Sequence, residues 1–284
     1  MNKSRPHRRL VLTPGGVLRQ LLMLFMVFAV LYPVYFMTVS AFKLKIEYVN
    51  NKLGLPIQPV LTNFAEAFKG KTYLVWFRNS TVLTLAAVVA SVFLACLAAY
   101  AFSHMRFRGK EGLFNVIIAL MVIPPVVMVI PLFATMTRLG LVNTYTSAII
   151  VYSGLLLPFS IYLLRNFFIT VPPAIVESAK IDGASEWQVL WLILMPLSRP
   201  ALVALVLVNA LYVWNELLIA LIFLQTEQLK TLMVGLSTMQ GRFQLNQPLI
   251  MAGMLIACLP MLLLYLFGQG YFIKGLAAGA LKGE

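Results

Sequence analysis

Acidic residues are scarce in this chain. Its 284 residues include nine Asp and Glu, and Asp182 is the single aspartate. There are two histidines, His7 and His104, and two cysteines, Cys96 and Cys258. With one aspartate and two distant histidines, neither a Ser-His-Asp arrangement nor a metal cluster can be built. The cysteines sit in apolar runs with no spacing pattern, so they read as small core residues and say nothing of redox compartment. A nucleotide loop is missing too. Gly70-Lys71-Thr72 looks like the end of one, but Ala65 stands where its leading glycine belongs. The expectation is therefore no enzyme, no catalytic residue, no metal and no cofactor held by this chain.

Charge of either sign is also scarce. Only 11% of residues are charged and 61% are hydrophobic, against roughly 25% and 45–50% in soluble domains. A globular core of this size cannot hide such a surplus, because burial is limited by surface-to-volume scaling. The bilayer is the expected solvent. The net charge of +13 then reads as Lys and Arg flanking apolar spans and meeting anionic lipid headgroups. Nucleic acid is set aside, since no basic stripe follows a polar helix.

What the chain does have is long apolar runs. Runs of about 20 residues read as spanning helices, and six are present, at residues 17–39, 77–102, 113–136, 146–168, 201–224 and 249–273. They do not alternate as barrel strands would. The basic start followed by an apolar stretch is longer than a leader's, with no small-x-small site after it, so it reads as a retained anchor. With the N-terminus inside, inner segments carry 13 Lys and Arg against 9 outside. That bias, led by the two short segments 1–9 and 104–112, places both termini in the cytoplasm. The layout is an N-terminal tail (1–16), a transmembrane domain (17–273) with an outer loop at 43–76 and an inner loop at 171–200, and a C-terminal tail (274–284).

A short helix is expected near 63–68 in the outer loop. The inner loop is more informative, because a passive connector would be shorter. Pro172-Pro173 suits a helix entry, and residues 174–182 give about two turns. Gly183 can take the left-handed conformation that ends a helix. Ser185 with Gln188 is a capping-box signature for a second helix over 186–195, expected to stop near Pro196. A hairpin parked on anionic lipid would favour cations, yet Lys180 and Arg199 are its only ones. A protein partner is the better reading.

Glu177-Ser178-Ala179 with Asp182-Gly183-Ala184-Ser185, then Pro196 and Pro200, resembles the EAA loop of ABC-importer permeases, with serine where alanine is usual. The chain further resembles the second permease subunit of the maltose-type carbohydrate-uptake branch. The matching pieces are Asn79-Ser80, Ala98 to Phe102 with Arg106 to Gly109, Ile130 to Leu132, Gly140 to Thr144, Trp214-Asn215-Glu216, and the tail Gly275 to Gly283. The resemblance implies an all-α polytopic membrane protein of the type I ABC importer permease fold, with six transmembrane helices and a cytoplasmic coupling-helix hairpin. It implies a bacterial inner-membrane location and import of a sugar or sugar-like solute by alternating access. ATP and Mg would be bound by a separate pair of ATPase subunits, seated on Glu177, Ser178, Ala179, Asp182, Gly183, Ala184 and Ser185. A second, different permease, an extracytoplasmic solute-binding protein and membrane lipids complete the implied partners. The tail, through Gly279 and Lys282, is implied to reach the ATPases, unless it simply frays.

Inside the spans, Glu216 stands out, because a carboxylate at a helix centre costs about 2.5–3.5 kcal/mol on insertion scales. With Trp214 and Asn215 it is a candidate for the solute pathway; the alternative is an interhelical hydrogen bond that fixes packing. Pro124, Pro125, Pro131 and Pro158 interrupt the third and fourth spans, as gating hinges or static kinks. A secondary carrier would need titratable groups near mid-membrane; only Glu216 qualifies, and it lies off-centre, in the outer half of its span. A pure scaffold subunit, with the partner permease making all solute contacts, remains the other alternative.

Overall fold

The computed structural model describes residues 14–69, 72–242 and 246–280. Gly70, Lys71 and Lys282 lie outside the described residues, as do the first 13 positions. The described residues are mostly helical, without a strand. It divides into two compact units: Met1–Ala67 with Leu245–Leu255, and Phe68–Gln244 with Ile256–Glu284.

The first unit is carried by α1 (Pro14–Ala41), α2 (Lys45–Asn50) and α3 (Thr62–Phe68, of which Phe68 belongs to the second unit). Along most of α1 the apolar side chains are exposed, from Leu18 to Tyr35. A helix apolar all round has no polar face to give water, so lipid or another apolar surface is its environment. Among the described residues of its unit, contacts gather at its C-terminal end. Asn63 on α3 donates to Ala41 O and Lys43 O, both at 2.8 Å, and the Phe42 and Phe64 rings meet at 5.0 Å. Lys43 is fully enclosed, donating to Asn51 O at 2.6 Å and Lys52 O at 3.3 Å. Burial holds its ammonium below the usual lysine range, with nearby Glu47 opposing.

The second unit is built on α4 (Thr72–His104) and α7 (Tyr145–Phe168), which pack along much of their length. Ala87, Ser91, Ala95 and Ala99 recur every four residues on one face of α4, and all are fully buried. Small side chains at this spacing let two backbones approach closely. Between α4 and α7 in sequence run α5 (Lys110–Ala119), a tight turn at Leu120–Val122, and α6 (Pro125–Arg138). The third span was expected as one interrupted run; its two halves are bent by 103°. Neither Pro124 nor Pro125 has an N–H, and Ile123, before a proline, is driven extended. Pro131 and Pro158, by contrast, sit inside α6 and α7 without ending them.

After α7 come α8 (Pro173–Ile181), α9 (Glu186–Gln188), a wide π turn at Val189–Leu194, α10 (Met195–Leu197) and α11 (Arg199–Asn215). The second hairpin helix was expected to stop near Pro196. It runs on to Leu197, the wide turn preceding a proline that has no amide to offer it. The break falls at Ser198, where the chain bends by 81° into α11. The fifth span differs as well. It stops at Asn215, Glu216 is extended, and α12 (Leu218–Phe223) starts anew. Next come α13 (Leu232–Arg242), absent from the sequence reading, and α14 (Gln247–Ala280), whose residues divide between the two units. A Cβ on Gly235 of α13 would run into the Trp76 indole, so that glycine is there for close approach.

Among the described residues, four helices are long and apolar enough to cross a membrane, or up to six if each bent pair is counted as one span. The second unit has two apolar cores. One joins Ala99, Tyr100, Phe114, Leu164, Val176, Val189 and Leu194; the other joins Leu83, Ala87, Tyr152, Val213, Ile219 and Phe223. Cys96 is buried as expected, whereas Cys258 is exposed: it faces outward on α14, one residue past the buried Ala257.

Candidate functional site

The hairpin at 173–197 is rooted in the first core and open at its tip. Val176, Val189, Leu190 and Leu194 are buried. Gly183 has φ +89°, a conformation that costs an L side chain roughly 1–2 kcal/mol. Its N–H bonds Lys180 O at 3.1 Å and Ala184 N–H bonds Ala179 O at 2.9 Å, closing the α8 C-terminus. Ser185 and Gln188 form the reciprocal capping box. Glu177, Ser178, Asp182, Gly183 and Ser185 are exposed, and Ala179 and Ala184 half-buried. The side chains flanking them, Ile181 at 86% and Trp187 at 57% exposure, are apolar, which is unusual for a tip that meets only water.

The same hairpin is tied to its neighbours. Glu186 accepts from Lys180 Nζ at 2.6 Å and from the Tyr100 hydroxyl on α4, and the His104 ring stacks on Tyr100 at 5.6 Å. Next to it, Arg165 reaches both Glu111 oxygens at 2.9 and 3.0 Å, bonds Phe102 O at 3.2 Å, and lies 4.0 Å over the Phe114 ring. These contacts fix the ends of α4, α5 and α7 as one base for the hairpin.

At the other end, Trp214, Asn215 and Glu216 point in different directions, as three consecutive residues must. Trp214 is buried, its Nε1 donating to Ala257 O at 3.0 Å and its ring meeting Phe77 at 5.5 Å. Asn215 is exposed and donates to Leu211 O at 2.8 Å. Glu216 is not at a helix centre. Its carboxylate accepts from the N–H groups of Leu218 (2.8 Å), Ile219 (2.9 Å) and Ala220 (3.3 Å), and from Tyr152 OH at 2.6 Å. It caps α12, where a helix's free amides and dipole favour an anion.

Two other matched pieces serve the segment that follows. Asn79 donates to Gln228 O and Lys230 O at 2.8 and 2.9 Å and accepts from Tyr145 OH at 2.6 Å. Ser80 Oγ accepts from Leu232 N at 2.8 Å. Asn143, at φ +63°, accepts from the N–H groups of Gln225 and Thr226, both at 3.0 Å. The structure thus brings Asn79, Ser80, Asn143 and Glu216 onto one stretch, residues 216–232, and leaves Trp214 and Asn215 apart from it. Sequence reasoning had no role for Asn79 or Asn143 beyond likeness; the available signal was a polar amide at each apolar run's edge.

The family described as "Binding-protein-dependent transport system inner membrane component" matches residues 88–276. This chain belongs to that family, the permeases of ABC importers. As a permease it is 36% identical over 252 residues to an ABC transporter permease protein of Caldicellulosiruptor sp. (strain Rt8B.4), covering 88% of this chain and 91% of that one. It is 31% identical to the melibiose/raffinose/stachyose import permease protein MelC of Bacillus subtilis (strain 168), over 88% of this chain and 91% of that one. In fold it is similar to a chain of a bacterial ABC transporter involved in the import of the acidic polysaccharide alginate, with TM-score 0.83, 24% identity, and 94% and 100% of the two chains covered. The permease is therefore a multi-pass inner-membrane transport component, and its relatives are transport subunits rather than enzymes. Gly279 lies within α14 and Lys282 outside the described residues.

Proposed function

We propose that this permease carries a sugar or sugar-like solute into the cell, powered by separate ATPase subunits that dock on the hairpin between α7 and α11. One observation carries the reading. The tip is exposed, apolar-flanked and turned by Gly183 at φ +89°, while its root is buried in the same core as α4 and α7. A partner gripping that tip pulls on the spans rather than on a loose loop. The carbohydrate class is supported by relatives such as MelC. An extracytoplasmic binding protein is supported by the family itself, and a second permease by the ABC-importer context of its relatives. In this reading both termini and the hairpin are cytoplasmic, Gly279 and Lys282 extend toward the ATPases, and alternating access shifts the chain between two states that a loaded binding protein and ATP favour differently. Asn215 and the half-buried rim of Glu216 are the parts of the Trp214–Glu216 motif open to a solute; Trp214 and the Glu216 cap support the wall behind them.

The test is Asp182→Lys combined with Gly183→Trp in the complete complex in proteoliposomes. Loss of solute-stimulated ATP hydrolysis, with the complex still assembled in detergent, is the expected result. Undiminished stimulation would sink the docking reading.

A further inference from the structure

The segment after α1 folds back along that helix. The Tyr35 hydroxyl donates to Leu53 O at 3.3 Å, and the Phe36 ring meets the Tyr48 ring edge-on at 6.4 Å. Both contacts fall before α1 ends at Ala41, by about 8–9 Å at 1.5 Å per residue. About 20 residues cross the hydrocarbon of a bilayer, and counting from Val17 brings its far edge to Phe36. Tyr48 and Leu53 are therefore level with that edge, not out in the water beyond the helix end.

The segment is also held in one shape. Lys43 Nζ clasps Asn51 O and Lys52 O. Asn51 Oδ1 accepts from Gly54 N at 2.9 Å, and its Nδ2 donates to Leu55 O at 3.1 Å. Val60 N donates to Phe42 O at 2.8 Å. Yet this well-tied stretch leaves its large apolar side chains outside: Ile46, Val49, Leu53, Leu55 and Ile57 are 61–79% exposed. A fixed apolar patch of this kind marks a surface that meets something other than water, and through Leu53 it continues the exposed apolar wall of α1. Its charges are sorted as well. Glu47, the one acid between residues 42 and 61, turns a carboxylate oxygen to the Ile57 N–H at 2.5 Å, while Lys45 and Lys52 are exposed. Tyr32, Tyr35 and Tyr48 gather at the same level, and tyrosine is enriched where hydrocarbon meets headgroups.

We propose that residues 44–57 form a lipid-binding collar at the membrane face where α1 ends. Ile46, Val49, Leu53, Leu55 and Ile57 enter the boundary between headgroups and acyl chains, and Lys45 and Lys52 reach lipid phosphates. Apolar faces of interfacial segments sink about 5–10 Å into this zone, and lysines there extend their stems so that the ammonium stays among the headgroups. A soluble partner would be met by a patch beyond the helix end, whereas this one lies back along it. The collar sets the height of α1 in the bilayer. That face is the outer one in the reading above, but the proposal needs neither the solute nor the ATPase assignment.

The experiment uses the complete complex in nanodiscs of phosphatidylethanolamine and phosphatidylglycerol, where both membrane faces are open to solvent. In a Cys96→Ala/Cys258→Ala background, Val49→Cys and Ile57→Cys are spin-labelled; both side chains are exposed, so neither label displaces packing. Collision with oxygen, which dissolves in hydrocarbon, is compared with collision with a water-soluble nickel chelate, with and without the binding protein. Oxygen is expected to exceed nickel at least about threefold at both sites, with or without that protein. Lys45→Glu with Lys52→Glu is expected to lower the ratio about twofold, as repulsion from phosphates lifts the segment. Nickel exceeding oxygen would overturn the proposal by placing the segment in water. Low collision with both reagents would overturn it by placing protein, such as the second permease, over the patch, and shielding that appears only with the binding protein would assign the patch to that partner instead. A ratio unmoved by the lysine reversals would refute the phosphate contacts.

Discussion

Replacing Glu216 by alanine is expected to open the break between α11 and α12. The carboxylate closes three amides and the hydroxyl of Tyr152, which is fully buried. Loss of a helix cap costs about 1 kcal/mol. Stranding a buried hydroxyl adds about 1–3 kcal/mol. The sum is about 2–4 kcal/mol, most of it local to residues 213–223. Glu216→Gln keeps acceptor oxygen in place and is expected to cost only about 1 kcal/mol, the difference between a charge-assisted bond and a neutral one. Tyr152→Phe removes the donor together with its need for a partner, so its cost should shrink or reverse in the Glu216→Ala background. The coupling is expected at about 1–2 kcal/mol. Trp214, two residues before the break and buried against Phe77, reports the opening as a red shift in fluorescence during denaturation in mixed micelles. If Glu216→Ala costs under about 0.5 kcal/mol, or Tyr152→Phe has the same effect in both backgrounds, the capping argument is wrong.

Asn79→Ala removes three hydrogen bonds at once, so hydrogen exchange at 226–232 is expected to rise about 30- to 100-fold, the equivalent of about 2–3 kcal/mol of local opening; unchanged exchange would refute that role. Lys43 gives a pH test. Because burial lowers its folded pKa below the unfolded value, the unfolded chain binds more protons between the two values, and stability rises as pH climbs through that window toward about 10.5. Lys43→Met is expected to flatten that rise in a thermal unfolding series; a parallel slope in the variant would refute the assignment to Lys43.

The elbow between α8 and α9 was legible because its signals are local. A glycine able to take positive φ and a serine three residues before a glutamine each carry their own backbone instruction, and Gly183 and Ser185 adopt the conformations read for them. Span length was legible for the same reason, since bilayer thickness sets it. The 103° bend was not. Prolines at 124, 125, 131 and 158 look alike in sequence, yet only the adjacent pair breaks its helix. Single prolines are tolerated where the surrounding helix and neighbours absorb the lost bond, which is a tertiary matter. Glu216 was misplaced for a related reason. An apolar run continuing through a carboxylate reads as unbroken helix, and only the arrival of Tyr152 from α7 shows that a break there can be satisfied. The helix α13 escaped notice because it is too short and polar for a span; it is held by the close approach at Gly235, by Ser80 on the Leu232 N–H, and by buried Leu232, Val234 and Leu236.

The four-residue rhythm of alanine and serine down α4 has a consequence for movement. Where two backbones nest over side chains no larger than these, sliding or tilting one past the other has no slack to consume, so α4 and α7 form the keel of their unit. Flexing must then concentrate where the helical ladder is already cut, at Pro124, Ser198 and Glu216. Superposing different states of the transporter on the keel alone should leave it unaltered and confine the differences to the pieces beyond those three cuts.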